Sequence, residues 1–211
     1  MVTLDLHDQL TVCPRRVEAD SEVRYLGLVP TIASIEHDLV AKALRLVGRV
    51  AEVTVTKRIP EGAGLGGGSA DAAAILRWAG FDDLEQAAFE LGADVAFCLI
   101  GGRARVSGMG EVVTPLPFEA KTVTLLTPPV HCPTAEVYRA WDNLSERRVP
   151  GDNDLELAAL EVRPELGRWR HELAEATGCQ PQLAGSGSTW FVYGAHPGAG
   201  RVVANTVPAI R

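Results

Sequence analysis

Five glycines fall within seven residues at Gly62-Ala63-Gly64-Leu65-Gly66-Gly67-Gly68, followed by Ser69-Ala70-Asp71 and a run of alanines. Glycine reaches positive φ at little cost and lets a backbone come close to an anion. The alanine-rich segment behind it predicts a helix. That helix turns its first N–H groups and the positive end of its dipole toward the same anion. Ahead of the loop, Val53 and Val55 alternate with polar residues, which predicts a strand over residues 51–57. Strand, glycine loop and helix in this order point to a phosphate or nucleotide site, and to phosphoryl transfer as its chemistry.

Other uses of a glycine loop fit less well. Gly62, Gly64 and Gly67 satisfy G-x-G-x-x-G. A dinucleotide fold also wants a strand soon after the helix, ending in an acidic residue. Here Asp82 and Glu85 form a capping box for a second helix that Gly92 closes, so Asp82 and Asp83 precede a helix. The P-loop pattern fails because no lysine follows the glycines. A purely structural turn would carry the entropy cost of five glycines with no ligand to offset it.

The bulk of the chain narrows the partners. Net charge is −7, with no Lys/Arg-rich run, which argues against nucleic acid and against anionic membranes. No apolar stretch approaches the roughly 18 residues of a membrane span, and the opening MVTLDLHDQL lacks the basic and apolar regions of a signal peptide. Cys13, Cys98, Cys132 and Cys179 form no C-x-x-C pair, so they read as inert buried thiols in a reducing cytoplasm. The five histidines show no ligand spacing and read as structural or surface groups.

Alternation predicts strands over residues 2–12, with a kink at Asp8, and over 22–28. Helical spacing covers 39–47 and ends at Gly48. The apolar run 95–100 and residues 103–107 read as short strands around Gly101-Gly102. A proline-rich stretch at 114–118 places the domain boundary, giving domains 1–115 and 116–211. Beyond it come a strand at 122–126, a helix at 135–141 with Thr134 as N-cap, and a loop at 147–152. Two more helices follow, then strands at 189–193 and 201–206.

Residues 60–73 resemble the ATP-binding signature of the GHMP small-molecule kinases. Several further segments are similar to the branch that acts on 4-diphosphocytidyl-2-C-methylerythritol: Leu91-Gly92-Ala93-Asp94-Val95-Ala96-Phe97, Gly102-x-Ala104-x-Val106-x-Gly108-x-Gly110-Glu111, Pro133-Thr134-Ala135-Glu136-Val137-Tyr138, Asn153-Asp154-Leu155-Glu156 and Leu183-Ala184-Gly185-Ser186-Gly187-Ser188-Thr189. The resemblance implies an α+β fold of two parts, the first like ribosomal protein S5 domain 2 and shortened at its start, the second ferredoxin-like. It implies an ATP-dependent kinase with Mg²⁺, a cytidine-diphosphate-linked small-molecule substrate, and a place in non-mevalonate isoprenoid synthesis in the cytoplasm. By the same resemblance Gly62, Gly64, Leu65, Gly66, Gly67 and Gly68 hold the ATP phosphates, with Ser69 offering a hydroxyl to phosphate or metal, or else capping the helix. Lys57 lies beside the nucleotide, or is a solvated surface lysine. Asp94 is the catalytic base. Thr134, Tyr138 and Ser186 take the substrate side. The metal ligands and the oligomeric state stay open.

Some expected pieces differ. The P-A-K-[IL]-N strand with its catalytic lysine, and the Y-H-x-L segment that grips cytosine, have no counterpart in this sequence, which begins at the family's next strand. Either those residues lie upstream, or the chain is a shortened homologue that binds nucleotide or regulates with weak or no catalysis. Another GHMP activity, such as homoserine phosphorylation, is the remaining alternative. Asp38 replaces an asparagine that could donate to adenine. Ala96 replaces a proline, loosening a turn near Asp94. The stretch 194–200 replaces a helix.

Overall fold

The computed structural model describes residues 1–16, 19–28, 38–144 and 153–209. The first half runs β1 (Gln9–Pro14), β2 (Glu22–Gly27), α1 (Leu39–Leu46), β3 (Ala51–Lys57), α2 (Gly67–Trp78), α3 (Leu84–Leu91), α4 (Ala93–Ile100), β4 (Ala104–Ser107) and β5 (Val112–Pro115). It continues with β6 (Thr122–Leu126), α5 (Thr134–Asn143), α6 (Glu156–Val162), α7 (Leu166–Thr177), β7 (Gln182–Leu183), β8 (Trp190–Tyr193) and β9 (Arg201–Asn205). The loop read at 147–152 lies outside the described residues.

Two compact units emerge. One comprises residues 1–60, 66–120 and 206–211; the other, 61–65 and 121–205. The expected division at 115 thus falls at 120, the C-terminal residues return to the first unit, and the glycine segment is shared out: 61–65 group with the second unit, 66 onward with the first.

In the first unit β3 is the central strand of a sheet ordered β1-β3-β2, antiparallel to β1 and parallel to β2. Its alternation is strict: Ala51, Val53, Val55 and Lys57 are buried and the residues between them are less so. Helices α1 and α2 cover that face with Val40, Leu44, Ile75 and Leu76. Glycines within a helix cost about 0.5–1 kcal/mol each. Full burial of Ile75 and Leu76 contributes about 1.5–3 kcal/mol apiece, so packing carries α2 despite Gly67-Gly68 at its start.

Two expectations need correcting here. Residues 1–4 make only isolated bridges, Val2 to Arg103 and Leu4 to Thr206, and the regular strand begins past Asp8. Residues 95–100 are helix α4, not a strand. A short apolar run reads equally as buried strand or buried helix. Between Gly92 (φ 122°) and Gly101 (φ 69°), the run packs as a helix on α2 and α3.

The second unit is a four-stranded antiparallel sheet ordered β7-β8-β6-β9 with α5, α6 and α7 around its core. Trp190 on β8 is fully buried, and its indole N–H donates to the Leu166 carbonyl at 3.1 Å. Residues 194–200 join β8 to β9 without a helix.

Candidate active site

The loop after β3 has the backbone that the glycines foretell. Gly62, Gly64 and Gly66 stand at φ of 68°, 72° and 66°. Gly66 is the N-cap of α2 and offers no side-chain acceptor. The helix therefore starts at Gly67, so Ser69 is the third helical residue rather than the cap. Gly67, Gly68 and Ser69 carry N–H groups that no intrahelical carbonyl reaches. Within the second unit the first half of the loop is tied down by backbone bonds: Ser188 N–H donates to the Gly62 carbonyl and Thr189 N–H to the Ala63 carbonyl, both at 3.1 Å. His131, read as structural or surface, lies against Gly62, where an added Cβ would come within 2.6 Å of its Nδ1.

Lys57 is buried, which removes the solvated-surface alternative. The period of β3 puts it on the same face as Val53 and Val55. Its ammonium is held by Asp71 of α2 at 2.8 Å and by Asp8, whose side chain is 1% exposed. Asp8 also accepts from Arg58 N–H at 2.5 Å and Ile59 N–H at 2.9 Å, fixing the chain that leads into the loop. Burial works against the ammonium, but the two carboxylates outweigh it and raise the Lys57 pKa. One cation cannot fully serve both acids. Burial, only partly offset by Lys57, pushes Asp71 up to about 6.

Asp94 occupies the first turn of α4, exposed at the surface yet desolvated enough by its surroundings that its carboxyl lies above the ordinary value. The turn at 108–111 packs against the residue before it, Ala93. Gly110 packs so close to Ala93 that a Cβ would come within 2.3 Å of the Ala93 Cα. Glu111 fixes the turn by accepting from Met109 N–H at 2.6 Å. Ala96, expected to loosen a turn, is the buried fourth residue of the helix.

In the second unit α5 starts at Thr134 with Pro133 as N-cap, so Thr134 is not the cap. Its hydroxyl pairs with that of Ser186 at 3.0 Å. Ser186 is buried, and its carbonyl also takes the Cys132 thiol at 3.2 Å. Tyr138, one turn along α5 from Thr134, is 50% exposed, so its ring is not core.

Residues 37–102 match the family model of the GHMP kinases N terminal domain. A 4-diphosphocytidyl-2-C-methyl-D-erythritol kinase of Cereibacter sphaeroides is 35% identical over 201 residues, covering 82% of this chain and 72% of the relative. The chain belongs to this family of GHMP kinases. The same-named enzyme of Thiobacillus denitrificans is 33% identical, covering 90% of this chain and 75% of its own. A crystal structure of 4-(cytidine 5'-diphospho)-2C-methyl-D-erythritol kinase superposes with a TM-score of 0.68 at 28% identity, over 96% of this chain and 87% of that one. A homoserine kinase from Cytophaga hutchinsonii shares the fold at a TM-score of 0.64 and 19% identity. The protein is thus an ATP-dependent small-molecule kinase with an α+β GHMP fold.

In this GHMP kinase Asp38 is the N-cap of α1. Its Oδ1 accepts from Val40 N–H at 2.8 Å, Ala41 N–H at 3.3 Å and the Tyr25 hydroxyl at 2.9 Å. Capping suits a carboxylate, and no donor for adenine remains on it. The four cysteines are free thiols, but only Cys132 is buried, contrary to the expectation for all four: Cys13 is exposed and Cys98 and Cys179 are half-buried. Burial raises the Cys98 thiol to about 12. Asp8 went unassigned in the sequence, where it read as a kink in a strand.

The triad yields a pH test. Asp71 titrates at about 6 in the folded chain against 3.8 for the free group. The native state therefore holds this proton more tightly, and stability falls as pH rises from about 4 toward 6. Asp71→Asn lacks that loss while leaving Lys57 paired with Asp8. In urea melts the variant should gain on the parent as pH rises through this window, by about 2–3 kcal/mol in all. A stability gap that does not vary with pH would refute the assignment.

Proposed function

We propose that this chain transfers the γ-phosphoryl group of ATP to the 2-hydroxyl of 4-diphosphocytidyl-2-C-methyl-D-erythritol, in non-mevalonate isoprenoid synthesis in the cytoplasm. The observation that carries this is the α2 N-terminus, which has no side-chain cap and follows glycines in left-handed backbone, a nest of N–H donors suited to phosphate oxygens. Gly62, Gly64, Leu65, Gly66, Gly67 and Gly68 form that cradle, and Lys57 braces its stem. Asp94 takes the proton of the substrate hydroxyl while its oxygen bonds to the γ-phosphorus; the bridge to the β-phosphate breaks and ADP leaves. Thr134, Tyr138 and Ser186 serve the cytidine end, with the exposed Tyr138 ring free to stack on the base.

Among the described residues no group of three or more His, Cys, Asp or Glu could hold a metal ion. Mg²⁺ binds chiefly through substrate phosphates with few protein oxygens, and the Ser69 hydroxyl is the protein oxygen we assign. When bound, the ion neutralises triphosphate charge.

Gly68→Ala tests the cradle. Its Cβ would meet nothing nearer than Leu39 Cδ1 at 3.7 Å, and its φ is ordinary, so the fold should be kept or slightly strengthened. The KM for ATP should nevertheless rise at least about tenfold if phosphate lies against this amide, a cost of about 1.4 kcal/mol. An unchanged KM would remove the phosphate cradle. A coupled assay offering the cytidine substrate and homoserine side by side decides the acceptor. Nucleotide binding without turnover of either would favour the shortened, non-catalytic reading.

A further inference from the structure

Asn153 has no role in the function above, yet its amide is fully committed. Its Nδ2 donates to the Leu183 carbonyl at 2.9 Å and to the Gly185 carbonyl at 2.7 Å, while its Oδ1 accepts from Leu155 N–H at 3.0 Å. It thereby joins the start of α6 to the turn at 183–189. That turn is closed by Ala184 N–H on the Thr189 carbonyl and Gly187 N–H on the Ala184 carbonyl, both at 2.9 Å. Its far edge holds the phosphate loop, through Ser188 on Gly62 and Thr189 on Ala63. Gly64 lies so close to the turn that a Cβ there would come within 2.1 Å of the Ala184 carbonyl oxygen. Every residue in this chain of contacts belongs to the second unit.

We propose that Asn153 is a positioning residue for phosphoryl transfer: by gripping two carbonyls of the 183–189 turn, it sets the backbone that seats the first half of the phosphate loop. The side-chain chemistry is selective. Two donors and one acceptor on a short stem are what the surroundings use, and only an amide supplies all three. Aspartate keeps the acceptor but sets a carboxylate against two carbonyl oxygens. Serine retains a single donor. The loop geometry this grip maintains is worth preserving because misplacing a bound reactant by about 1 Å can cost about 10²-fold in rate.

The proposal rests on the phosphate-cradle reading, and Gly68→Ala is the control that separates the two. In the full chain, Asn153→Asp should raise the KM for ATP at least about tenfold, with Asn153→Ser showing a smaller rise in the same direction. Hydrogen exchange supplies a readout that a purely local role at α6 would not move. The Ser188 and Thr189 amides should lose at least about tenfold of their protection in Asn153→Asp, while the β6 amides keep theirs. If Asn153→Asp does not fold, Asn153→Ser carries both measurements. A raised KM in Gly68→Ala with unchanged KM and unchanged Ser188 and Thr189 exchange in the Asn153 variants overturns the positioning role alone. An unchanged KM in Gly68→Ala as well takes the cradle with it.

Discussion

Asp94→Asn should lower kcat by about 10²–10⁴, the usual contribution of a positioned general base, while the KM for ATP stays within about twofold. The substitution removes a proton acceptor and little else. Asp94 caps nothing: the N-cap of α4 is Gly92, and no side-chain cap bond is made there. Its carboxylate does favour the helix N-terminus, worth about 0.3–1 kcal/mol on an exposed first turn, too little to unfold the chain. At the helix start Ala93 packs against the 108–111 turn, and its contact with Gly110 is untouched by the change. Because desolvation lifts the carboxyl above its ordinary value, the acid limb of the parent's kcat profile should lie above the pH at which a free aspartate titrates. That limb should vanish in the variant. Steady-state kinetics with the cytidine substrate measure both, and equal kcat in the two proteins would remove Asp94 as the base.

Gly64→Ala should be the most damaging single methyl in the molecule. At φ 72° an L-residue is strained, costing about 1–2 kcal/mol, and the new Cβ would lie 2.1 Å from the Ala184 carbonyl oxygen and 2.7 Å from that of Gly187. Both obstacles are backbone, so neither can swing aside. Together the expected loss is about 3–5 kcal/mol, a drop in melting temperature of roughly 6–20 °C for a chain of this size. Gly66→Ala is the internal comparison. It has a similar φ of 66° but open space around the added carbon, so only the backbone cost should appear. Thermal melts of the two variants that coincide would show that the close approach to the 183–189 turn does not exist in solution.

The backbone of the glycine loop was legible because its constraint is local: glycines at alternate positions, then a strong helix former, leave few backbone paths. The central strand was legible for the same reason. Lys57 shows where such reading stops short. The alternation that names Val53 and Val55 as core continues to residue 57, so the burial of its ammonium was available in the period. What was missing was the identity of its partners, because Asp8 and Asp71 come from 49 and 14 positions away. Residues 95–100 were misread because six apolar side chains satisfy both a strand and a helix buried on one side, and only packing on α2 and α3 decides between them. Reading Ser69 and Thr134 as caps starts the two helices too late, since both residues lie inside them. A hydroxyl is a good cap by type, but Gly66 and Pro133 hold the cap backbone instead.

Helix α2 opens on Gly66, which makes no side-chain cap bond to its first turn. On the proposed cradle, an incoming triphosphate supplies acceptors to the N–H groups of that turn. Substrate should then act as a folding partner. Apparent melting temperature should climb steadily with the logarithm of ATP concentration once sites are filled, while adenosine, lacking the anion, leaves that turn as open as before.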